Sequence, residues 1–216
     1  MKPRLIFING KPGAGKDTQA ERVEELYPLS TTISIGAILR GVEKGEGQFA
    51  HFQKLVEQED LEKMKRGDIL PPEKVLALVD AAIQEGIVDG VEAFIFTGFP
   101  RNLEQLDLLE GVLHHFEGKA ESYFIDLAIS DEIAETRRKF RYEEAIAHHE
   151  RPRTDDLPET FPNRLMTYYD ETQPMLDRLR GQKRLLTVNA DDTIQRVFEG
   201  VRFALEGAPP RHPERR

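Results

Sequence analysis

The chain has 216 residues, 39% of them apolar and 32% charged, with a formal net charge of −9 and no cysteine. A chain of this length buries one sizeable core with room for small inserted subdomains, and its composition is that of a soluble globular protein rather than a disordered one. The acidic balance argues against sequence-independent binding of nucleic acid, the lack of cysteine removes disulfides and thiolate zinc sites, and no apolar run reaches the roughly 18 residues of a membrane-spanning helix.

Leu5-Ile6-Phe7-Ile8 reads as a buried strand closed by Asn9-Gly10. It is too short for a signal-peptide core, and a cytoplasmic location is expected. Gly10 to Gly15 form a loop, and Thr18 to Leu26 have helical spacing, with Ala20, Val23 and Leu26 on one side. Ile33-Ser34-Ile35 reads as a second short strand. The charged stretch from Gly36 to Arg66 is helical in character and reads as an insertion. Gly67 and Pro71-Pro72 close it, and Pro72 suits the first turn of a helix through Glu85.

Phe94-Ile95-Phe96 is the next strand, leading into Thr97-Gly98-Phe99-Pro100, followed by strands at Tyr123–Ile129 and Arg184–Val188. Asp131 is placed as the N-cap of a helix through Arg141. A long helix is expected from Pro158 to Arg180, bent at Pro174, and a last one from Thr193 to Leu205. Residues 208–216, rich in proline and arginine, read as a disordered tail. Strands alternating with helices predict an α/β three-layer sandwich around a parallel sheet.

Gly10-Lys11-Pro12-Gly13-Ala14-Gly15-Lys16 satisfies G-x-x-x-x-G-K. Its glycines let successive backbone N–H groups converge on an anion, and Lys16 adds a mobile charge for the β- and γ-phosphates. Strand before and helix after are what this phosphate loop requires. The loop alone does not say which nucleotide binds or what becomes of it.

The segment Gly10 to Ala20, GKPGAGKDTQA, resembles the opening of adenylate kinases, and the resemblance continues in order. It runs through Ile33–Arg40, Met64–Val79, Gly98-Phe99-Pro100-Arg101, Asp131–Arg141, Arg153-Thr154-Asp155-Asp156, Arg164 and Tyr169–Pro174. It implies a P-loop core at 1–33, 71–136 and 157–207, a helical monophosphate-binding insert at 34–70, and a short lid at 137–156. It further implies a monomer that transfers a phosphoryl group from Mg·ATP to AMP, with no zinc. Two other readings stay open: a uridylate–cytidylate kinase of the same family, or a nucleotide-binding relative that has lost catalysis.

The resemblance also assigns residues. Gly13, Ala14, Gly15, Lys16, Asp17 and Thr18 would hold ATP, with Arg137 stacked across the donor base. Arg40 and Arg101 would hold the acceptor phosphate, with Ile35, Leu70, Gly98 and Gln105 on the acceptor side. Arg141, Arg153 and Arg164 would surround the transferring group together with Lys16, and Asp155 and Asp156 would orient the lid arginines. Guanidinium suits these tasks because it stays ionised and binds phosphate oxygens in a bidentate manner. His148 and His149, adjacent in the lid, read as solvated.

Three positions depart from the family pattern. Thr97 and Ala37 stand where its members carry aspartates of the Mg²⁺ hydration shell, and Asp17 stands where they carry glycine. Either the metal-shell carboxylate has moved onto the phosphate loop, or Asp17 is simply a helix-first-turn acid favoured by the macrodipole. Gln105 matches the adenine-reading glutamine of AMP-specific members, whereas Ile35 replaces a threonine near the acceptor base.

Overall fold

The computed structural model describes residues 2–88, 90–115, 120–150, 152–153 and 156–207. Asp155 and the tail at 208–216, both singled out above, lie outside the described residues. Five strands form one all-parallel sheet: β1 (Arg4–Gly10), β2 (Ser30–Ser34), β3 (Ala93–Thr97), β4 (Glu121–Ala128) and β5 (Leu185–Asn189), in the spatial order β2-β3-β1-β4-β5. All five therefore end at the same edge. β1 lies between β3 and β4, so the chain winds to either side of it, and the crevice at its C-terminal end is where such sheets bind ligands.

Alternation along the strands sends side chains into two cores. Phe7, Phe94, Phe96 and Phe124 point to one face, where Phe7 stacks on Phe96 and Phe124 at centroid distances of 4.7 and 4.8 Å. On that face pack α4 (Pro72–Val88), α5 (Leu103–His115) and α8 (Gln173–Gly181), through Leu78, Leu106, Leu109, Met175 and Leu179. Ile6, Ile8, Ile95, Ile125 and Leu127 point to the other face and meet α1 (Lys16–Leu26) and α9 (Ile194–Gly207), through Ala20, Val23, Val197, Val201 and Leu205. This is a helix–sheet–helix sandwich of the α/β class.

Between β2 and α4 the chain forms α2 (Ile35–Lys44), a 3-10 turn (Gly47–Phe52) and α3 (Gln58–Arg66). Their apolar residues Ile38, Leu39, Phe52 and Leu61 join the same cluster as Phe7. After β4 come α6 (Asp131–Ala147) and α7 (Phe161–Thr167), the latter running through a π turn at Tyr168–Thr172 into α8. Among the described residues, no helix is long and apolar enough to cross a membrane.

Several element boundaries differ from the expectation, each for a local reason. β2 spans 30–34 rather than 33–35: Thr31 and Thr32, β-branched, pair with Phe94 and Ile95, and Ile35 opens α2 behind a cap from Ser34, whose hydroxyl accepts from the Ala37 N–H. Ser130, not Asp131, caps α6 by accepting from the Ile133 N–H. That helix runs on through Ala147 because four of the five residues from Glu143 to Ala147 are Glu or Ala, strong helix formers. α1 starts at Lys16, and the long helix starts at Phe161. At its π turn the Gln173 N–H bonds the Tyr168 carbonyl, so the register has already shifted where Pro174 removes a donor.

Candidate active site

The phosphate loop follows directly from β1 and turns into α1. Gly10, Gly13 and Gly15 have φ of 139°, 87° and 87°, values that a side chain would strain. At Gly10 a Cβ would also stand 2.6 Å from the Leu127 carbonyl oxygen, so β4 closes the loop from below. The Lys16 ammonium donates to the carbonyls of Gly10 and Lys11, each at 2.8 Å, and thus folds over its own loop. Burial pushes its pKa down to about 7, and the neighbouring cations Arg164, Arg101 and Arg141 push the same way against Asp17.

A cavity of about 310 Å³ opens at this edge of the sheet. It is lined by Gly13, Gly15, Lys16, Asp17 and Thr18 from the loop side, and by Ile35, Arg40, Leu70, Gly98, Arg101 and Gln105 from the opposite side. Arg141, Arg153, Asp156 and Arg164 complete the wall. One lysine and five arginines thus face one space, although they come from α1, α2, the segment after β3, α6, the segment after it, and α7. Such a constellation suits two polyanions held end to end.

Two assigned residues do not line this cavity. Ala14 is buried beneath the loop rather than lining the cavity. Arg137 lies on the loop's outer side, where its guanidinium donates to the carbonyls of Ala190 at 2.7 Å and of Gly13 and Asp192 at 3.4 Å. It spans the phosphate loop and the β5–α9 connection.

Arginine positions are set by partners. The buried carboxylate of Asp156 accepts a bidentate pair from Arg141 Nε and Nη2 at 3.0 and 2.7 Å. Its backbone carbonyl accepts from Arg138, which is itself paired with Glu135. Gly67 passes so close to Arg164 that a Cβ there would meet its Cγ at 2.5 Å. Across the cavity from the loop, Gln105 is buried; its Oε1 accepts from the Arg101 N–H at 2.8 Å and its Nε2 donates to the Leu70 carbonyl at 3.2 Å, which leaves each amide atom a second hydrogen-bonding position.

Asp17 reaches the strand ends beside the loop. Its Oδ1 accepts from the Thr97 hydroxyl at 2.7 Å and from the Ser34 hydroxyl at 3.5 Å, both at the ends of neighbouring strands. Three hard oxygens of the type Mg²⁺ prefers therefore meet beside the loop lysine, which fits a hydrated ion carried by a nucleotide. Among the described residues, no cluster of three or more His, Asp or Glu side chains could hold a metal unaided.

Some participants escaped the sequence reading. Lys11 reaches Asp131 at 2.6 Å, and the Tyr169 hydroxyl donates to the same carboxylate oxygen at 2.7 Å. Burial opposes the charge on Lys11, but these two partners outweigh it and raise its pKa. The trio ties the phosphate loop to the start of α6 and to the π turn, from which Thr172 donates to the Arg101 carbonyl. Behind the loop, Asp126 faces Asn9 across the β1–β4 pair, and burial pushes its carboxyl pKa up.

Comparison with known proteins agrees with this geometry. The adenylate kinase family model matches residues 8–184. An adenylate kinase of Synechococcus sp. is 32% identical over 206 residues, covering 95% of this chain and 97% of the relative. UMP-CMP kinases are similar at nearly the same level: 31% identity for that of Gallus gallus and 29% for that of Homo sapiens, each covering 93% of this chain and 96% of the relative.

Proposed function

The chain belongs to the adenylate kinase family, and on that premise we propose that it moves the terminal phosphoryl group of ATP reversibly to AMP, giving two ADP. The observation that carries this reading is the convergence of Lys16 with Arg40, Arg101, Arg141, Arg153 and Arg164 on one cavity. A protein that only held ATP would have no use for a second set of phosphate clamps.

In the proposed reaction an oxygen of the AMP phosphate forms a bond to the γ-phosphorus. The bond from that phosphorus to the β–γ bridging oxygen breaks, and its electron pair stays on the departing ADP. The acceptor is already an anion, so no side chain has to remove a proton. What the protein supplies is alignment and charge stabilisation. Lys16 leaves its own loop carbonyls for the phosphates, while Arg141, Arg153 and Arg164 surround the transferring group. Asp156 holds Arg141 at a fixed angle. Arg40 and Arg101 grip the acceptor phosphate, and Arg137 flanks the donor base. Members of this family use ATP with Mg²⁺, which when bound neutralises charge on the β- and γ-phosphates.

AMP is preferred as acceptor because Gln105 offers a paired donor and acceptor, the pattern an adenine edge requires. UMP or CMP is the second reading, supported by the UMP-CMP kinase relatives and by Ile35, whose side chain offers the base no hydrogen bond. The test is ADP formation from ATP and Mg²⁺ with AMP, UMP, CMP and GMP side by side. The highest kcat/KM is expected with AMP. A preference for UMP or CMP transfers the assignment to the second reading, and no turnover with any acceptor defeats both.

A further inference from the structure

Resting on the ATP-binding reading above, we propose that Asp17 is the carboxylate that anchors the hydrated divalent cation accompanying ATP, and that Thr97 and Ser34 are the positioning residues that aim it. Asp17 directly follows the loop lysine, the position from which phosphate-loop proteins present an oxygen to the metal. A carboxylate is longer than the usual hydroxyl there. It therefore reaches over the ends of β2 and β3, and the structure finds it there.

The hydrogen bonds explain its aim. Thr97 is buried at 2% exposure, so its hydroxyl is a rigid donor, and it holds Oδ1 at 2.7 Å. Ser34 is paired in register with Thr97 across the β2–β3 ladder and approaches the same oxygen at 3.5 Å. Both hydroxyls donate to Oδ1 and not to Oδ2. The carboxylate thus has a fixed oxygen and a second one able to accept from metal-bound water, while Asp17 lines the cavity beside Lys16. A helix-first-turn acid acting only through the macrodipole needs neither the strand-end hydroxyls nor that direction.

The arrangement is also reversible on paper. The Thr97 hydroxyl lies within hydrogen-bond distance of the Asp17 carboxylate, so a carboxylate grown from position 97 would occupy nearly the same spot. Position and charge can then be separated by experiment. Calorimetry measures ATP affinity in EDTA and in saturating Mg²⁺ for wild type, Asp17→Asn and Asp17→Asn/Thr97→Asp, with melting temperatures recorded for each. Asp17→Asn keeps the shape and the Thr97 contact but loses the charge.

The Mg²⁺-dependent tightening of ATP binding is expected to shrink about tenfold in Asp17→Asn, the scale of a lost outer-shell partner. Metal-free ATP should bind as well as before or better, since a negative charge beside the phosphates has gone. The double variant should recover most of the tightening. Where it does not fold, Thr97→Val replaces it, with an expected loss of about threefold, the scale of one net hydrogen bond to the carboxylate. Wild-type tightening retained in Asp17→Asn overturns this inference alone, as does a folded double variant with no recovery or a folded Thr97→Val with no loss. Wild type that binds ATP in neither buffer overturns the kinase reading, and this inference with it.

Discussion

Lys16 offers a prediction whose size follows from its surroundings. Its pKa is held near 7 by burial and by Arg164, Arg101 and Arg141, so close to half of the free protein carries a neutral amine at neutral pH. A bound triphosphate supplies the missing counter-charge and returns the amine to the usual lysine range, so ATP binding takes up a proton. Uptake should be about 0.5 proton at pH 7 and about 0.9 at pH 8. Affinity then falls about fivefold between those two values and approaches tenfold per pH unit above them. Saturating Mg²⁺ keeps the terminal phosphate of ATP ionised across this window, so its own titration does not mask the effect. Calorimetry in buffers of different ionisation enthalpy reads the uptake directly. Lys16→Arg is the control, because guanidinium stays charged and should flatten the profile. The same shift acts on folding. The cost of the buried cation is fully present below pH 7 and fades as pH rises toward the unfolded-state value, so stability increases through that window by at most about 1.4 kcal/mol per pH unit. Equal ATP affinity at pH 7 and pH 8, without proton uptake, would refute the reasoning.

Three substitutions test the walls of the site. Asp156→Asn removes the charge that fixes Arg141 in its bidentate pair. It should lower kcat about tenfold to a hundredfold with little change in KM for ATP, and an unchanged kcat would show that Arg141 needs no such support. Gly67→Ala puts a Cβ into Arg164 at a residue with φ of 83°. It should lower stability by about 1 kcal/mol and also depress kcat, so denaturant titration together with steady-state rates will separate the two effects. Gln105→Leu deletes an amide that bridges Arg101 and Leu70. KM for AMP should rise about tenfold and KM for ATP should not; an unmoved AMP value would take the amide out of acceptor recognition.

The phosphate loop and the buried strands were legible because glycine spacing and continuous apolar runs speak for themselves. β2 was legible only at its end, since four of its five residues are Ser or Thr and only Ile33 is deeply buried. Its hydrophobic signal belongs partly to Ile35, which has already entered α2. α5 went unread although Leu106, Leu109 and Leu113 recur at helical spacing and are buried. Asn102-Leu103-Glu104-Gln105 announces it: the Asn102 side chain accepts from the Gln105 N–H, as a helix cap does.

Within the site, residue types exposed the arginines but not their geometry. The Asp156 pair, the Gly67 contact and the trio of Lys11, Asp131 and Tyr169 join residues from 15 to 158 positions apart, and spacing along the chain carries no record of such meetings. Asp17 was conspicuous as an acid in a glycine loop. Its direction came only from the hydroxyls of Thr97 and Ser34.

Phosphorus NMR of the protein mixed with ATP, AMP and Mg²⁺ measures the central claim most directly. The account predicts that the ATP and AMP resonances decline toward an equilibrium mixture with matching growth of ADP, and that ADP with Mg²⁺ approaches the same mixture from the other side. Release of inorganic phosphate with AMP left intact, or no change at all, would contradict it.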